Sequence, residues 1–381
     1  MIDSSLIHKE FPQPEDLYYL NHAAVAPWPA RTAEAVGQFA QENITIGAKD
    51  YPNWLAKEKL LRKQLQSLIN APAVDDIALV KNTSEAISIV AFGIDWQQGD
   101  NIVSSNEEFP SNRIPWEAQS RHGVEFREVA IQGQDPEQAL IDACDKHTRL
   151  LTISSVQYAS GLRIDLERLG TFCAQNQILF CVDAIQTLGA IKMDAQAIQA
   201  DFIMADGHKW MLGPEGIALF YCRESAREHI TLNQYGWHMI EQYGNYDLKE
   251  WTPAKSARKF ECGSNNLMGV HALSASLSLF EEIGMDIIEN SVLDHSRYLM
   301  ERLAQDNRIS LITPSKEQAY GGIVTFQVHD HDQNALHRNL LNENVICAHR
   351  GGGIRFSPHF YTTREKIDKS LEILSLSIRF N

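Results

Sequence analysis

No stretch of this 381-residue sequence approaches 18 consecutive apolar residues, so no membrane-spanning helix is expected. The six cysteines (Cys144, Cys173, Cys181, Cys222, Cys262, Cys347) lie far apart and form no C-x-x-C pair. That spacing argues against a zinc knuckle or a disulfide framework. Low-complexity segments and internal repeats are absent too. Basic residues are in deficit, 34 Lys+Arg against 49 Asp+Glu for a net charge of −15. A nucleic-acid partner, which would need a clustered basic face, is therefore not expected. The start, Met1-Ile-Asp-Ser-Ser-Leu-Ile-His8, has neither a basic region nor a long apolar one. No secretory signal is expected, and the cytoplasm is the expected location.

What is present is ordinary for a globular chain: 44% hydrophobic and 22% charged residues. Apolar, β-rich runs recur near residues 77–80, 101–105, 126–131, 150–156, 178–183, 201–205 and 217–222. Helix-length segments separate several of them, at residues 84–92, 136–144 and 166–175. The pattern predicts an α/β protein with a mostly parallel seven-stranded sheet flanked by helices. Ligands of such sheets bind beyond the carboxyl ends of the strands. The last third reads as a smaller C-terminal α+β domain: helices at 271–283 and 288–304, then strands and helices to residue 378. We place a large domain at 21–255, a small one at 256–381, and an N-terminal segment, 1–20, packed on the small domain.

Three motifs carry possible chemistry. In Asp201-Phe-Ile-Met-Ala-Asp206-Gly207-His208-Lys209, a strand runs into a lysine among apolar neighbours. Desolvation there would lower its pKa and make the amine nucleophilic, although a lone lysine in a turn is more often a surface residue. In Ile178-Leu-Phe-Cys-Val-Asp183-Ala-Ile-Gln186, Asp183 ends a strand that reads as buried, where a carboxylate needs a cationic or protonated partner. A structural arginine or a helix cap would serve as well as a ring nitrogen. In Val80-Lys-Asn-Thr-Ser-Glu85, Asn82 is an N-cap with Glu85 as its capping-box partner. A helix N-terminus directly after a strand suits an anion, and Thr83 and Ser84 add hydroxyls.

A Schiff-base lysine, an acid for a ring nitrogen and a phosphate cradle are what pyridoxal phosphate requires. Here the sequence resembles the class V aminotransferase group of fold-type-I pyridoxal-phosphate enzymes, which includes cysteine desulfurases, selenocysteine lyases and isopenicillin N epimerase. The resemblance runs from Tyr19-Leu-Asn-His-Ala-Ala24 to Arg355-Phe-Ser-Pro-His359, and the 26-residue spacing of Asp183 and Lys209 is specific to it. It implies the following roles. Lys209 carries the cofactor, Asp183 holds the pyridinium, Gln186 meets the ring 3-oxygen, and His208 lies beside the lysine near the phosphate. Thr83 and Ser84 bind phosphate, Phe109 stacks on the ring, and Ser155 and Gln157 supply another ring contact. Ser264 reaches the phosphate of a neighbouring subunit, which implies a homodimer with shared sites. Arg355 grips the substrate carboxylate, and Asn21 and His22 join the substrate site.

Two features depart from the resemblance. Cysteine desulfurases need a mobile-loop cysteine shortly before that arginine, and His349-Arg-Gly-Gly-Gly-Ile-Arg355 contains none. Cys347 lies eight residues upstream in a run that reads as a strand, so it is expected to be packed rather than nucleophilic. Asp206 stands where many relatives have a phosphate-binding serine; an acid there is suited to orienting His208. The expected function is pyridoxal-phosphate chemistry at Cα and Cβ of a small amino acid, ending in C–S lysis or epimerisation. Transamination, a desulfurase using Cys347, and a non-catalytic cofactor binder remain alternatives. A metal site at His329-Asp-His-Asp332 and His337 is not expected, since those residues read as a solvated turn and helix start.

Overall fold

The computed structural model describes residues 3–133 and 135–379. In chain order, α1 (Ser4–Glu10) and β1 (Tyr18–Tyr19) precede two long helices, α2 (Ala30–Thr45) and α3 (Tyr51–Leu68). Then come β2 (Ile77–Val80), α4 (Thr83–Gly93), β3 (Asn101–Ser105), α5 (Ile114–Glu117), β4 (Glu125–Val129), α6 (Pro136–Asp142) and β5 (Thr148–Ser154). Next are α7 (Leu166–Asn176), β6 (Leu179–Asp183), β7 (Phe202–Asp206) and β8 (Ala218–Cys222), followed by α8 (Leu267–Ile283) and α9 (Met285–Leu303). The chain closes with β9 (Ile309–Leu311), β10 (Val324–Val328), α10 (Gln333–Asn342), β11 (Val345–Ile346), β12 (Ala348–Arg350), β13 (Gly353–Phe356) and α11 (Arg364–Arg379).

The expected seven-stranded sheet is present, in the order β2-β8-β7-β6-β5-β3-β4. Only β8 runs against its neighbours. Its reversal follows from the eleven residues between β7 and β8, too few for the crossover that parallel neighbours need. Alternate side chains enter two separate cores. Leu79, Val103, Leu151, Phe180, Ile203 and Leu219 face one side, packed with residues of α3, α7 and α8. Ala78, Ile102, Leu150, Cys181, Phe202 and Phe220 face the other, against α4 and Trp116. Burial on both faces explains why these strands read as continuous apolar runs.

The second sheet, β12-β13-β10-β9, is antiparallel and packs with α9, α10 and α11 around Phe326, Phe356, Leu340 and Leu374. Of the N-terminal segment, β1 pairs in parallel with β11 (Tyr18 opposite Val345), while Phe11 packs with the large core. The helix α8, which the sequence reading puts beyond residue 256, packs against α2 and α3. Its residues Val270, Leu273, Leu277 and Phe280 belong to the large sheet's core. The division at 256 therefore falls ahead of a helix of the first layer, because α8 is buried on more than one side.

Candidate active site

Strand register brings the three motifs to one edge. Asp183 ends β6, the central strand, and Asp206 ends the adjacent β7. Val80 at the end of β2 and Asp206 both lie opposite Ala218, so the N-terminus of α4 opens at the same edge. A cavity of about 410 Å³ lies there, within the size range of small-molecule sites. Thr83, Ser84, Phe109, Asp183, Gln186, His208, Lys209 and Arg355 all line it, as do Asn82, Ser111, Tyr158, Asp206 and Arg350.

The lysine sits in a tight loop. Gly207 N donates to Ile217 O (2.9 Å), Gly213 N to Gly207 O (2.8 Å) and Leu212 N to Lys209 O (3.0 Å). Gly189 approaches this loop so closely that a Cβ there would stand 2.2 Å from Trp210 O. Burial pulls the Lys209 amine down to about 8, with the Asp183 carboxylate opposing the shift. The same cause pushes the Asp183 carboxyl up to about 7, against a hydrogen bond from Ile185 N (3.0 Å). Each charge favours the charged form of the other, and burial outweighs that attraction in both. Lys209 Nζ also stands 5.7 Å from the centre of the Phe109 ring, which packs edge-on against Tyr158. Gln186 is fixed at both ends, donating to Ala23 O (3.1 Å) and accepting from Trp210 Nε1 (2.9 Å).

At α4, the Asn82 side chain accepts from Glu85 N (2.8 Å), so the cap forms as expected. The capping box does not: Glu85 accepts instead from Lys81 N (2.6 Å), one residue earlier, and pairs with the Lys81 amine. Thr83 Oγ1 accepts from Asp206 N (3.1 Å), and Ser84 Oγ donates to Ser111 Oγ (2.8 Å). The Thr83 and Ser84 amides precede the first intrahelical bond, Ala86 N to Asn82 O, and are free for an anion. His208 Nδ1 lies 3.0 Å from Asp206 Oδ1, and neither atom has an aligned hydrogen-bond partner elsewhere.

Arg355 enters from the small sheet. Only 2% exposed, it donates to Tyr158 O (2.8 Å) and keeps a buried Nε without a partner. Burial, then the charge of Arg350, lowers it to about 10. The segment before it is a two-residue hairpin: β12 and β13 pair Arg350 with Gly353 across Gly351 and Gly352, both at positive φ (59° and 80°). Positive φ at both central residues matches the twist of the strands and favours glycine, Asn or Asp there, which a Gly-Gly pair satisfies. Cys347 lies before β12, 3% exposed in the small-domain core, where burial pushes its thiol up to about 12.

Five residues tied to the site by the resemblance lie outside the cavity. Ser155 Oγ turns inward to Asp183 O (3.1 Å) and Thr187 Oγ1 (2.6 Å). Gln157 is fully buried and donates to Glu108 Oε1 (3.0 Å). His22 is fully buried between Ser357 O (2.8 Å) and the Tyr361 hydroxyl (2.7 Å), and burial lowers it to about 4. Asn21 bridges to Ser357 in the backbone, with its Oδ1 buried and unpaired. Ser264 is exposed. Conversely, Arg350, Ser111 and Tyr158 line the cavity without having been assigned a role. Arg350 is placed by its pairing with Gly353, which the sequence does not display, and nothing local marks the other two. The histidines near residue 330 are engaged separately, His329 with Ser310 and His331 with Ile378 O.

The model of the aminotransferase class-V family matches residues 18–369. The chain belongs to that family. It is accordingly a pyridoxal-phosphate-dependent enzyme. Among curated relatives, a probable cysteine desulfurase of Methanothermobacter thermautotrophicus is 30% identical, covering 95% of this chain and 94% of the relative. A probable cysteine desulfurase of Pyrococcus abyssi is 27% identical over 97% and 96%. Among solved structures, the apo cysteine desulfurase of Thermococcus onnurineus superposes with a TM-score of 0.88 at 22% identity, over 100% and 99%. The cystine C–S lyase C-DES, in complex with cysteine persulfide, superposes at 0.87 and 23%, over 96% and 99%. These structural likenesses establish the class V fold for the chain. Among the described residues, no helix is long and apolar enough to cross a membrane.

Proposed function

We propose that this class V enzyme is a C–S lyase acting on a β-sulfur-substituted amino acid, without a persulfide relay. One observation carries the reading. The residues ahead of Arg355 form a two-glycine hairpin, and Cys347 is packed in the small-domain core with a raised pKa. A mobile nucleophilic thiol needs the opposite: exposure and a lowered pKa. The likeness to a cystine C–S lyase accords with this.

The cavity's residues fit the cofactor. Lys209 and Asp183 are a buried amine and carboxyl at one strand edge, Thr83 and Ser84 offer free amides at a helix start, and Phe109 offers an aromatic face. When bound, pyridoxal phosphate supplies an electron sink for a bond broken at Cα. Lys209, held near neutrality by burial, would take the proton from Cα. Asp183 would keep the proton on the ring nitrogen, since a carboxylate this buried favours a protonated partner. Arg355, with an unpaired buried Nε, would hold the substrate carboxylate and orient Cα toward Lys209. Asp206 would orient His208 rather than face the phosphate itself. Ser155 and Gln157 play no direct part in this assignment. Ser264, exposed and outside its own cavity, suits a contact in a second copy's site, and the protein is proposed to be a homodimer.

The test is Cys347→Ala, with folding checked by thermal melting. Turnover within about twofold of wild type is the expected result. A folded variant that has lost turnover, or a cysteine persulfide trapped on residue 347 of wild type, would restore the desulfurase reading.

A further inference from the structure

We infer that Arg350 forms a second anion subsite in the cavity, selecting substrates whose side chain carries a carboxylate beyond the one held by Arg355. The reacting end of such a substrate rests on the C–S lyase reading; the subsite itself rests on the hairpin. In the β12–β13 register, Arg350 lies opposite Gly353 and Ala348 opposite Arg355. Residues 353 and 355 are two apart on one strand, so they share a face, and their cross-strand partners share it too. Arg350 and Arg355 are therefore diagonal neighbours pointing to the same side, and both line the cavity.

Two like charges on adjacent strands repel, and such pairs are destabilising unless something compensates them. Among the described residues no side chain does so, although Arg350 itself reaches solvent. Arg350 donates only to the neighbouring carbonyl of His349 (2.8 Å) and Arg355 only to Tyr158 O. Among the described residues, no carboxylate is ion-paired with either. The acids of the cavity are engaged elsewhere, Asp183 against Lys209 and Asp206 against His208. Arg350 lines the cavity with Arg355 and Lys209, so its side chain lies toward the site.

The turn fixes this arrangement. Gly351 and Gly352 both hold positive φ, and a Cβ on Gly353 would stand 2.2 Å from Phe326 O. Arg355 is buried at the inner end and Arg350 is exposed at the outer end. The inner arginine suits the carboxylate next to Cα, and the outer one a carboxylate several bonds along the side chain. A β-thio amino acid with a distal carboxylate has that shape.

The holoenzyme is assayed with L-cystine, which has two carboxylates, and S-ethyl-L-cysteine, which has one. Wild type and Arg350→Gln are compared by the ratio of their kcat/KM values. The ratio should favour L-cystine in wild type and fall about tenfold to a hundredfold in the variant, as expected for a charge-assisted hydrogen bond. Independently of turnover, calorimetry with glutarate and butyrate should give tighter glutarate binding in wild type, lost in Arg350→Gln. Arg355→Gln should weaken both anions. Equal binding of the two by wild type, or a preference that survives Arg350→Gln, would overturn the proposal. So would faster cofactor release from Arg350→Gln, which would make that residue a phosphate ligand. If neither amino acid yields pyruvate, the C–S lyase reading fails, while the glutarate titration still decides the subsite.

Discussion

His22 and His359 should make this protein acid-labile, through their burial and their hydrogen-bond partners. Both side chains are fully buried, beside Trp210 and Tyr361. His359 Nδ1 accepts from Phe360 N (2.8 Å), so Nε2 must carry the proton that reaches Trp210 O (2.9 Å). A second proton on Nδ1 would face an amide that cannot turn away. His22 donates to Ser357 O through Nδ1, which leaves Nε2 to accept from the Tyr361 hydroxyl. Burial lowers His22 to about 4 and His359 well below the usual 6.5. In the unfolded chain each binds a proton from pH 6.5 downward, so stability falls with pH from there until the folded value is reached. For His22, the drop from 6.5 to about 4 corresponds to about 3 kcal/mol at 1.36 kcal/mol per unit.

The perturbation is His359→Gln, followed by urea denaturation at pH 7, 6 and 5. At pH 7 the variant should be about 1–3 kcal/mol less stable, from imperfectly satisfied buried partners. The gap to wild type should narrow by about 2 kcal/mol by pH 5, because the variant no longer loses stability to this proton. Carboxylates titrate alike in both proteins and cancel in the comparison. A gap that stays constant from pH 7 to pH 5 would refute the reasoning.

Other outcomes follow from the same geometry. Lys209→Ala should abolish the visible absorbance of the lysine-bound cofactor, read by spectrophotometry; an unchanged spectrum would remove Lys209 from its role. In wild type kcat should rise with pH toward about 8, where the Lys209 amine, freed once substrate has taken its place on the cofactor, loses its proton. Asp183→Asn should move that rise to lower pH, since the carboxylate that holds the lysine's proton is gone, and should slow turnover by about a hundredfold or more. Arg62→Met should cost about 3–5 kcal/mol in a denaturant titration. It would leave Glu261, held by both guanidinium ends (2.5 and 2.7 Å), buried beside Glu58 without a cation.

The sequence disclosed the sheet and the edge that bears the cavity because their signals are strong. Buried strands are apolar on both faces, and Asp183 and Asp206 close such runs where β6 and β7 end, with Lys209 three residues further on. Helices α2 and α3 left less trace. The buried positions of α3 include Glu58 and Gln64 as well as Trp54, Leu61 and Leu65, and α2 buries only Thr32 completely. The short strand β9 leaves no trace in the sequence, since Ile309 and Leu311 are half-buried and Ser310 between them is exposed. At the site, the cavity-lining residues that were named come from motifs adjacent to strand ends. Ser155, Gln157 and His22 lie close to such motifs in sequence, but alternate positions along an extended chain point to opposite sides, and theirs face the interior. Arg350 went unassigned for the converse reason: its place depends on pairing with Gly353, which a string of three glycines does not reveal.

This class V enzyme is proposed to cleave a C–S bond by elimination, with no relay thiol. The most direct test is the carbon product formed by the wild-type holoenzyme from L-cystine and from L-cysteine. Pyruvate and ammonia, released together with a sulfur-bearing product, are the expected result. Alanine as the carbon product, with sulfur retained on the protein, would contradict it.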